Sequence, residues 1–370
     1  MNFREANLKV FTREEIPFVL FQPRIEPWYW WHTNFSTLPQ KYKNLTLLEL
    51  FDELDVSMRY VHYYTGQPDP IEVRYTKEVK IIEIEKTSDE KIIIIETPYG
   101  SLERHIGRTS EGLWRTIKHP VETKEDFKKL IWLYKNTIFS FSEENFMKGS
   151  EFMSFRGYPQ FFLPRSPYQC LCLEWMSLEN FIYALVDYSG LVEDAMKAID
   201  ESYDGLYEEI VSCKEVRIVN FGENIDEFLL SEKYFEKYHI PFYEKRVGKL
   251  KKHGIFTYIH IDGHFRNLLK YLKYLPFDGF EALTPEPQGD VSIEEMKEHI
   301  GDKILLDGIP AIIFLPTFPD KEFMECVEKI VKLFSPNLIL GISDELPQDA
   351  PEESIERVRV VSEYCRKVKK

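Results

Sequence analysis

The sequence predicts an α/β fold of the (β/α)8 (TIM) barrel kind, with a small antiparallel β insertion near the N-terminus. The first observation is a rhythm. From Val216 onward, strands at Val216–Phe221, Phe256–His260, Gly279–Leu283, Lys303–Leu306 and Leu338–Leu340 are each succeeded by a helix, at Glu232–Lys252, Phe265–Tyr274, Ile293–Ile300, Lys321–Phe334 and Glu352–Lys367. Such alternation demands a parallel sheet with crossover helices. With two or three strands earlier in the chain, the total suits an eight-stranded barrel better than an open sheet. The second observation lies at the carboxyl ends of these strands, every one of which carries acids. In a barrel those ends meet at one mouth, where such folds keep their chemistry.

The earlier elements are read in the same way. Ile16–Phe21 (IPFVLF) is a first buried strand, ending in Gln22, Pro23 and Arg24. An aromatic loop comes next, Trp28, Tyr29, Trp30, Trp31 and His32, either a packing lid over the barrel mouth or a platform for a flat ligand. Leu45–Leu54 has helical spacing. From Glu72 to Arg104 the period changes to two and breaks at Thr87, Ser88 and Asp89, so a β-hairpin is expected at about residues 71–104. Lys124–Lys135 is a helix with Thr123 as its N-cap. Pro159–Pro164 is a short strand, and Leu178–Val186 and Leu191–Ile210 are helices parted at Ser189-Gly190. No stretch rich in Gly, Ser or Pro divides the chain, and residues 1–370 are expected to form one domain.

Composition bounds the function. A chain with 44% hydrophobic and 29% charged residues can build a core, and a formal net charge of -15 repels phosphate backbones and anionic membrane surfaces. Nucleic acid and membrane partners are therefore excluded, and a small molecule is the expected one. Arg366, Lys367, Lys369 and Lys370 read as a solvated tail. The 5 cysteines, Cys170, Cys172, Cys213, Cys326 and Cys365, are odd in number and form no CxxC pair, against a disulfide framework. Cys170 and Cys172 would share one face of a strand, as small core side chains more readily than as ligands. No leader and no membrane-length apolar stretch is visible, and the protein is expected in the cytoplasm.

The strand ends deliver Glu223, Asn224 and Asp226; then His260, Asp262 and His264; then Glu281, Thr284 and Glu286; then Asp307; then Ser343, Asp344 and Glu345. Acids gathered so closely repel one another and raise each other's pKa. A cation is the simple remedy, and a mixed nitrogen and oxygen set suits zinc or another divalent transition metal. Each acid also has a plainer role open to it: Asp226, Asp262 and Asp344 as helix caps, Glu281 paired with a basic side chain, Asp307 in a turn. That all are plain at once, with His260 idle, is the less economical reading. No Gly-rich phosphate loop, nucleophile elbow or HExxH motif occurs.

These residues resemble the uroporphyrinogen decarboxylase superfamily, from Phe155 to the C-terminus most clearly. HIDG at His260–Gly263 is similar to the HxCG element of its zinc-dependent methyltransferases, with Asp262 where cysteine would stand. GISDELPQDAPEESI at Gly341–Ile355 is similar to their closing PGC element, with Asp344 at the cysteine position. GENIDEFLLSEKYFEKYHIPFYEK at Gly222–Lys245 and TPYGSLER at Thr97–Arg104 also resemble methyltransferase-type members. The arginine-rich loop of true decarboxylases is reduced to Arg24 within FQPRIEPWYWW, so the chain lies closer to the corrinoid and coenzyme M methyltransferase branch. The resemblance implies a metal-dependent enzyme that moves a methyl group from a small methylated or methoxylated compound to a thiol or a corrinoid protein. His260, Asp262 and Asp344 would hold a divalent metal such as zinc, and the corrinoid would be carried by a partner protein. Glu223 and Asp262 would be the catalytic acid-base groups, and Arg24, Trp28, Trp31 and Glu281 would bind substrate. The chain would act as a monomer or homodimer. Carboxylates in place of thiolates make a harder Lewis acid, which leaves two alternatives: a metal-free decarboxylase or lyase acting on a carboxylated substrate, and a non-catalytic barrel serving as a binding subunit.

Overall fold

The computed structural model describes residues 1–76, 79–109 and 112–368. Among them 13 strands form: β1 (Leu20–Phe21), β2 (Ile71–Tyr75), β3 (Lys80–Thr87), β4 (Glu90–Thr97), β5 (Gly100–Arg108), β6 (Trp114–Lys118), β7 (Thr137–Phe141), β8 (Phe162–Leu163), β9 (Ile218–Ile225), β10 (Phe256–Ile261), β11 (Gly279–Glu281), β12 (Ile304–Pro310) and β13 (Leu338–Ser343). The buried runs of the second half, joined by β1 and β8, become a seven-stranded parallel sheet in the order β1-β13-β12-β11-β10-β9-β8. Every residue of β12 and of β13 is buried, as strands covered on both faces must be.

Residue contacts divide the chain into two compact units. The first comprises Met1–Pro70, Ser142–Leu163 and Cys213–Lys370 and contains the parallel sheet; the second comprises Ile71–Phe141 and Pro164–Ser212. In the second unit the expected hairpin is part of something larger. β3, β4, β5 and β6 form a four-stranded antiparallel sheet, and β2 pairs with β7. Residues 77 and 78 of the expected hairpin lie outside the described residues. The helix Lys124–Lys135 begins in a capping box between Thr123 and Asp126, as expected.

In the first unit, the helix Phe3–Phe11 packs Ala6, Val10 and Phe11 with Ile218, Tyr258, Ile304, Leu306 and Ile339 in one apolar cluster. Ile218 and Ile304 are the first residues of β9 and β12, so this cluster sits toward the amino ends of the strands and leaves the carboxyl ends to polar groups. Between the two outer strands of the sheet runs Ser57–Val61, where the Ser57 amide donates to Phe21 O at 3.0 Å and the Val61 amide to Gln160 O at 2.9 Å. Tyr60 also forms a parallel bridge with Gln160.

Several local expectations are corrected. Ile16–Phe21 is a strand only over Leu20–Phe21, although Ile16 and Phe18 join the core. Trp28 to His32 is a helix, Glu26–Asn34, with a proline in its first turn, where a missing N–H costs nothing. Cys170 and Cys172 lie in a helix, Pro167–Cys170, and the wide turn Leu171–Trp175 after it; the proline and buried spacing override strand alternation. Leu191–Ile210 is two helices, Ser189–Ser202 and Asp204–Ser212. Arg366 is no loose tail: it belongs to the helix Glu352–Lys367 and its guanidinium grips both oxygens of Asp55 at 2.5 and 2.6 Å. Lys369 and Lys370 lie outside the described residues. Among the described residues no helix is long and apolar enough to cross a membrane.

Candidate functional site

Strand register brings the site together. His260 on β10 lies beside Glu281 on β11, and Glu281 lies beside Leu306, one residue before Asp307 on β12. Neighbours in a parallel sheet share a face, so histidine and glutamate meet. Asp307 comes directly after a residue of the apolar cluster and still reaches the polar one. Its φ of 74° breaks the strand's alternation. Left-handed φ also occurs at Asn224 (55°), Ala282 (56°) and Asp344 (67°), each at the carboxyl end of a different strand. Asn and Asp tolerate this region and alanine does not favour it. Backbone strain held at four strand ends of one sheet is the pattern of a functional mouth. A side chain on Gly341 would put its Cβ 2.3 Å from Asp307 Oδ1 and 3.0 Å from Gln22 O, so glycine is what admits that carboxylate.

Two arginines neutralise the acids. Arg59, buried on the Ser57–Val61 segment, bonds Glu281 Oε1 through Nη1 and holds Asp307 through Nη1 at 3.1 Å and Nη2 at 2.6 Å. Its Nε donates to Gln22 Oε1 at 2.9 Å, and the Gln22 amide is itself fixed on Met58 O at 2.6 Å. Arg24, 2% exposed, reaches Asp344 Oδ1 at 2.8 Å and lies 3.9 Å from Asp307 Oδ2. Its Nε has no partner among the described residues. Tyr60 Oη and Asn220 Nδ2 complete the shell of Glu281. His260 Nδ1 lies 3.0 Å from Glu281 Oε2, and Nε2 faces Asp344 Oδ1 at 3.8 Å.

These contacts set the protonation states. Burial would raise the pKa of Glu281, but Arg24, Arg59 and His260 outweigh it and hold the acid well below the usual range. Asp307 goes the other way: burial raises it, and the negative Glu281 adds to that against the pull of Arg59. Two acids share one guanidinium, and their pKa values are pushed in opposite directions. Burial would lower the pKa of His260; its hydrogen bond to Glu281 and the charge of that group raise it instead. Glu345, bonded by Tyr63 Oη at 2.6 Å, is pushed up by burial and by Asp344.

A further acid stands close by. Glu26, 2% exposed with Oε2 unpartnered among the described residues, is raised by burial to about 7, against its own backbone N–H and Arg24 and with the help of Glu345. Its folded pKa is above the 4.5 of an ordinary glutamate, so burial costs nothing well below the unfolded value, where the acid is protonated in both states, costs more as pH rises from the unfolded to the folded pKa, and reaches its full cost above the folded pKa. Glu26→Gln is therefore expected to leave stability unchanged at acid pH and to raise it by about 3 kcal/mol above pH 7. Denaturant unfolding of both proteins at pH 4.5 and pH 8 checks this; an equal gain at both would contradict it.

The expected site residues do not all converge. His260, Glu281, Arg24 and Asp344 do. Asp262 is half-buried and accepts from Asn224 Nδ2 at 3.3 Å, turned to a neighbour other than His260 or Asp344. Glu223 is buried in β9. Trp28 is wholly buried, its ring 4.6 Å from His32 and its Nε1 on Ala350 O at 2.7 Å, which makes it an anchor within the core. Trp31 is half-buried with its ring 4.4 Å from Phe35. Arg59, Tyr60, Asn220 and Glu26 are additions to the sequence reading.

A divalent metal needs a set of free donors. His260 Nε2 offers one, oriented by a carboxylate on Nδ1 as metal-binding histidines are. The neighbouring oxygen, Asp344 Oδ1, already carries Arg24, and the site holds no thiolate. Among the described residues no group of three His, Cys, Asp or Glu side chains is arranged to hold a metal. The residues do not fit a zinc ion as they stand.

No family profile matches the chain, and no curated protein matches it in sequence. Its fold is similar to that of a methyltransferase from Methanosarcina mazei, with a TM-score of 0.58 and 13% identity, covering 98% of this chain and 99% of that one. That likeness shows the fold. A B12-independent methionine synthase from Shewanella sp. W3-18-1, in complex with selenomethionine, aligns with a TM-score of 0.46 and 14% identity over 90% of this chain and 89% of that one, too distant to carry an argument.

Proposed function

We propose that this chain is a methyl-transfer enzyme of the methyltransferase-like branch of the uroporphyrinogen decarboxylase superfamily. It would take the methyl group from a small methylated or methoxylated compound. Its sheet would close as a (β/α)8 barrel, with Ser57–Val61 as the stave between β1 and β8. The observation that carries the reading is His260: Nδ1 is held by an ionised Glu281, and Nε2 is left toward Asp344 at the carboxyl ends of the strands. The fold likeness to a methyltransferase over nearly the whole chain supports it.

The chemistry needs a proton. When a nucleophile takes the methyl group from an ether, the C–O electron pair stays on oxygen, and a charged imidazole within reach supplies the hydrogen that makes it a hydroxyl. The imidazole then recovers its proton from solvent. The acceptor, a thiol or a corrinoid carried by a partner protein, would supply the nucleophile from outside the chain. Arg24 would orient an anionic group of the substrate through the donors that Asp344 leaves free.

A second reading has its own support in that same arginine. A carboxylate held by Arg24 beside a charged His260 also suits a decarboxylase or lyase, the imidazole then protonating carbon. Products decide between them. With methoxylated carboxylic acids and either a thiol or cob(I)alamin as acceptor, mass spectrometry is expected to find the demethylated acid and the methylated acceptor in equal amounts. Loss of CO2 with the methyl group intact would replace this reading by the second. Turnover of none would leave a binding subunit.

A further inference from the structure

Clustered acids call for a cation, and the chain supplies its own. We propose that Arg24 is the resident cation of the mouth, a guanidinium standing where the donors of His260 and Asp344 would otherwise receive a divalent metal ion. The inference concerns ion binding and is independent of the reaction proposed above.

Three observations carry it. Asp344 Oδ1 faces His260 Nε2 at 3.8 Å, and Arg24 Nη2 occupies it at 2.8 Å. A metal bound to both donors would therefore lie against a buried guanidinium, and like charges brought together at such a place are strongly unfavourable. Two further acids are also spoken for, since Arg59 holds Glu281 and Asp307. Finally, Arg24 is fixed from behind. The Leu346 amide donates to Arg24 O at 3.0 Å, tying the arginine's backbone to the segment that carries Asp344. Asp344 itself is half exposed, so access for an ion is open and the obstacle is charge.

Removal of that charge should open the site. In a zinc titration against a chromophoric chelator, the wild-type protein is expected to take up no stoichiometric metal. Arg24→Met should bind one equivalent with an affinity about a hundredfold higher or more, the scale of a like charge removed from a buried site. Adding Asp344→Ala to that variant should abolish the gain. Arg24→Lys keeps the charge and should behave as wild type, which separates charge from a general loosening of the fold. Near-ultraviolet circular dichroism checks each variant, with Arg24→Gln in place of the methionine variant should that one not fold. A wild-type protein holding one zinc that His260→Ala or Asp344→Ala releases would overturn the proposal. So would a folded, uncharged variant that gains no zinc. Neither result depends on turnover, so a failure here is distinct from a failure of the methyl-transfer reading.

Discussion

Arg59→Met is expected to lower the unfolding free energy at pH 7 by about 3–5 kcal/mol, the usual scale when one partner of a buried charge pair is removed. The cause is what remains. Glu281 and Asp307 are both wholly buried, and Arg59 is the guanidinium that bonds both of them. The pH dependence has a definite sign. Glu281 has a folded pKa held below its ordinary 4.5, so the stability it draws from the arginines is present above that value and is lost as pH falls through the folded pKa. The penalty of Arg59→Met should accordingly shrink in acid. Adding Glu281→Gln and Asp307→Asn to the variant should restore part of the loss, because an unpaired neutral amide costs less than an unpaired carboxylate. Urea unfolding at pH 7 and in acid reads all three. A loss below about 1 kcal/mol, the value of an exposed pair, would mean that the acids do not depend on Arg59.

His260→Ala is expected to reduce methyl transfer by about 10²–10⁴-fold, the contribution of one positioned proton donor. The raised pKa of His260 fixes the direction of the pH profile. Its charged form prevails below the folded pKa, so the wild-type rate should fall as pH rises through that value, and the variant should lose that limb. Substrates whose leaving group is already a good anion should suffer less, since they need the proton less. A variant as fast as wild type with a poor leaving group would remove His260 from the chemistry.

One half of this site is legible in the sequence and the other is not. His260, Glu281, Asp307 and Asp344 are visible because each closes a regular, apolar strand with a clear helix after it. Their common face comes with the fold. Arg59 is hidden because its segment, VSMRYV, is short and forms only an isolated bridge, with no ladder to give it a strand's period. The signal that could find it is the rhythm itself: a helix at Leu47–Leu54 calls for a buried segment after it, and every residue from Val56 to Val61 is buried. Without Arg59, a metal is the natural answer to the clustered acids. The aromatic residues Trp28 to His32 mislead for a related reason, since their density suggests a loop that lids the mouth or meets a flat ligand, whereas a helical spacing of four sets Trp28 and His32 together against Ala350. The second compact unit is assembled from two separate stretches, and no linker composition marks its limits in the sequence.

The central claim is that Glu281, kept ionised by the buried arginines, raises the pKa of the imidazole at the mouth. Titration of the ¹⁵N-labelled ring of His260 tests it most directly. The account predicts a midpoint above the 6.5 of an ordinary imidazole, with Nδ1 retaining its hydrogen toward Glu281 throughout. A midpoint at or below 6.5 would contradict it, because burial would then have prevailed over the pair.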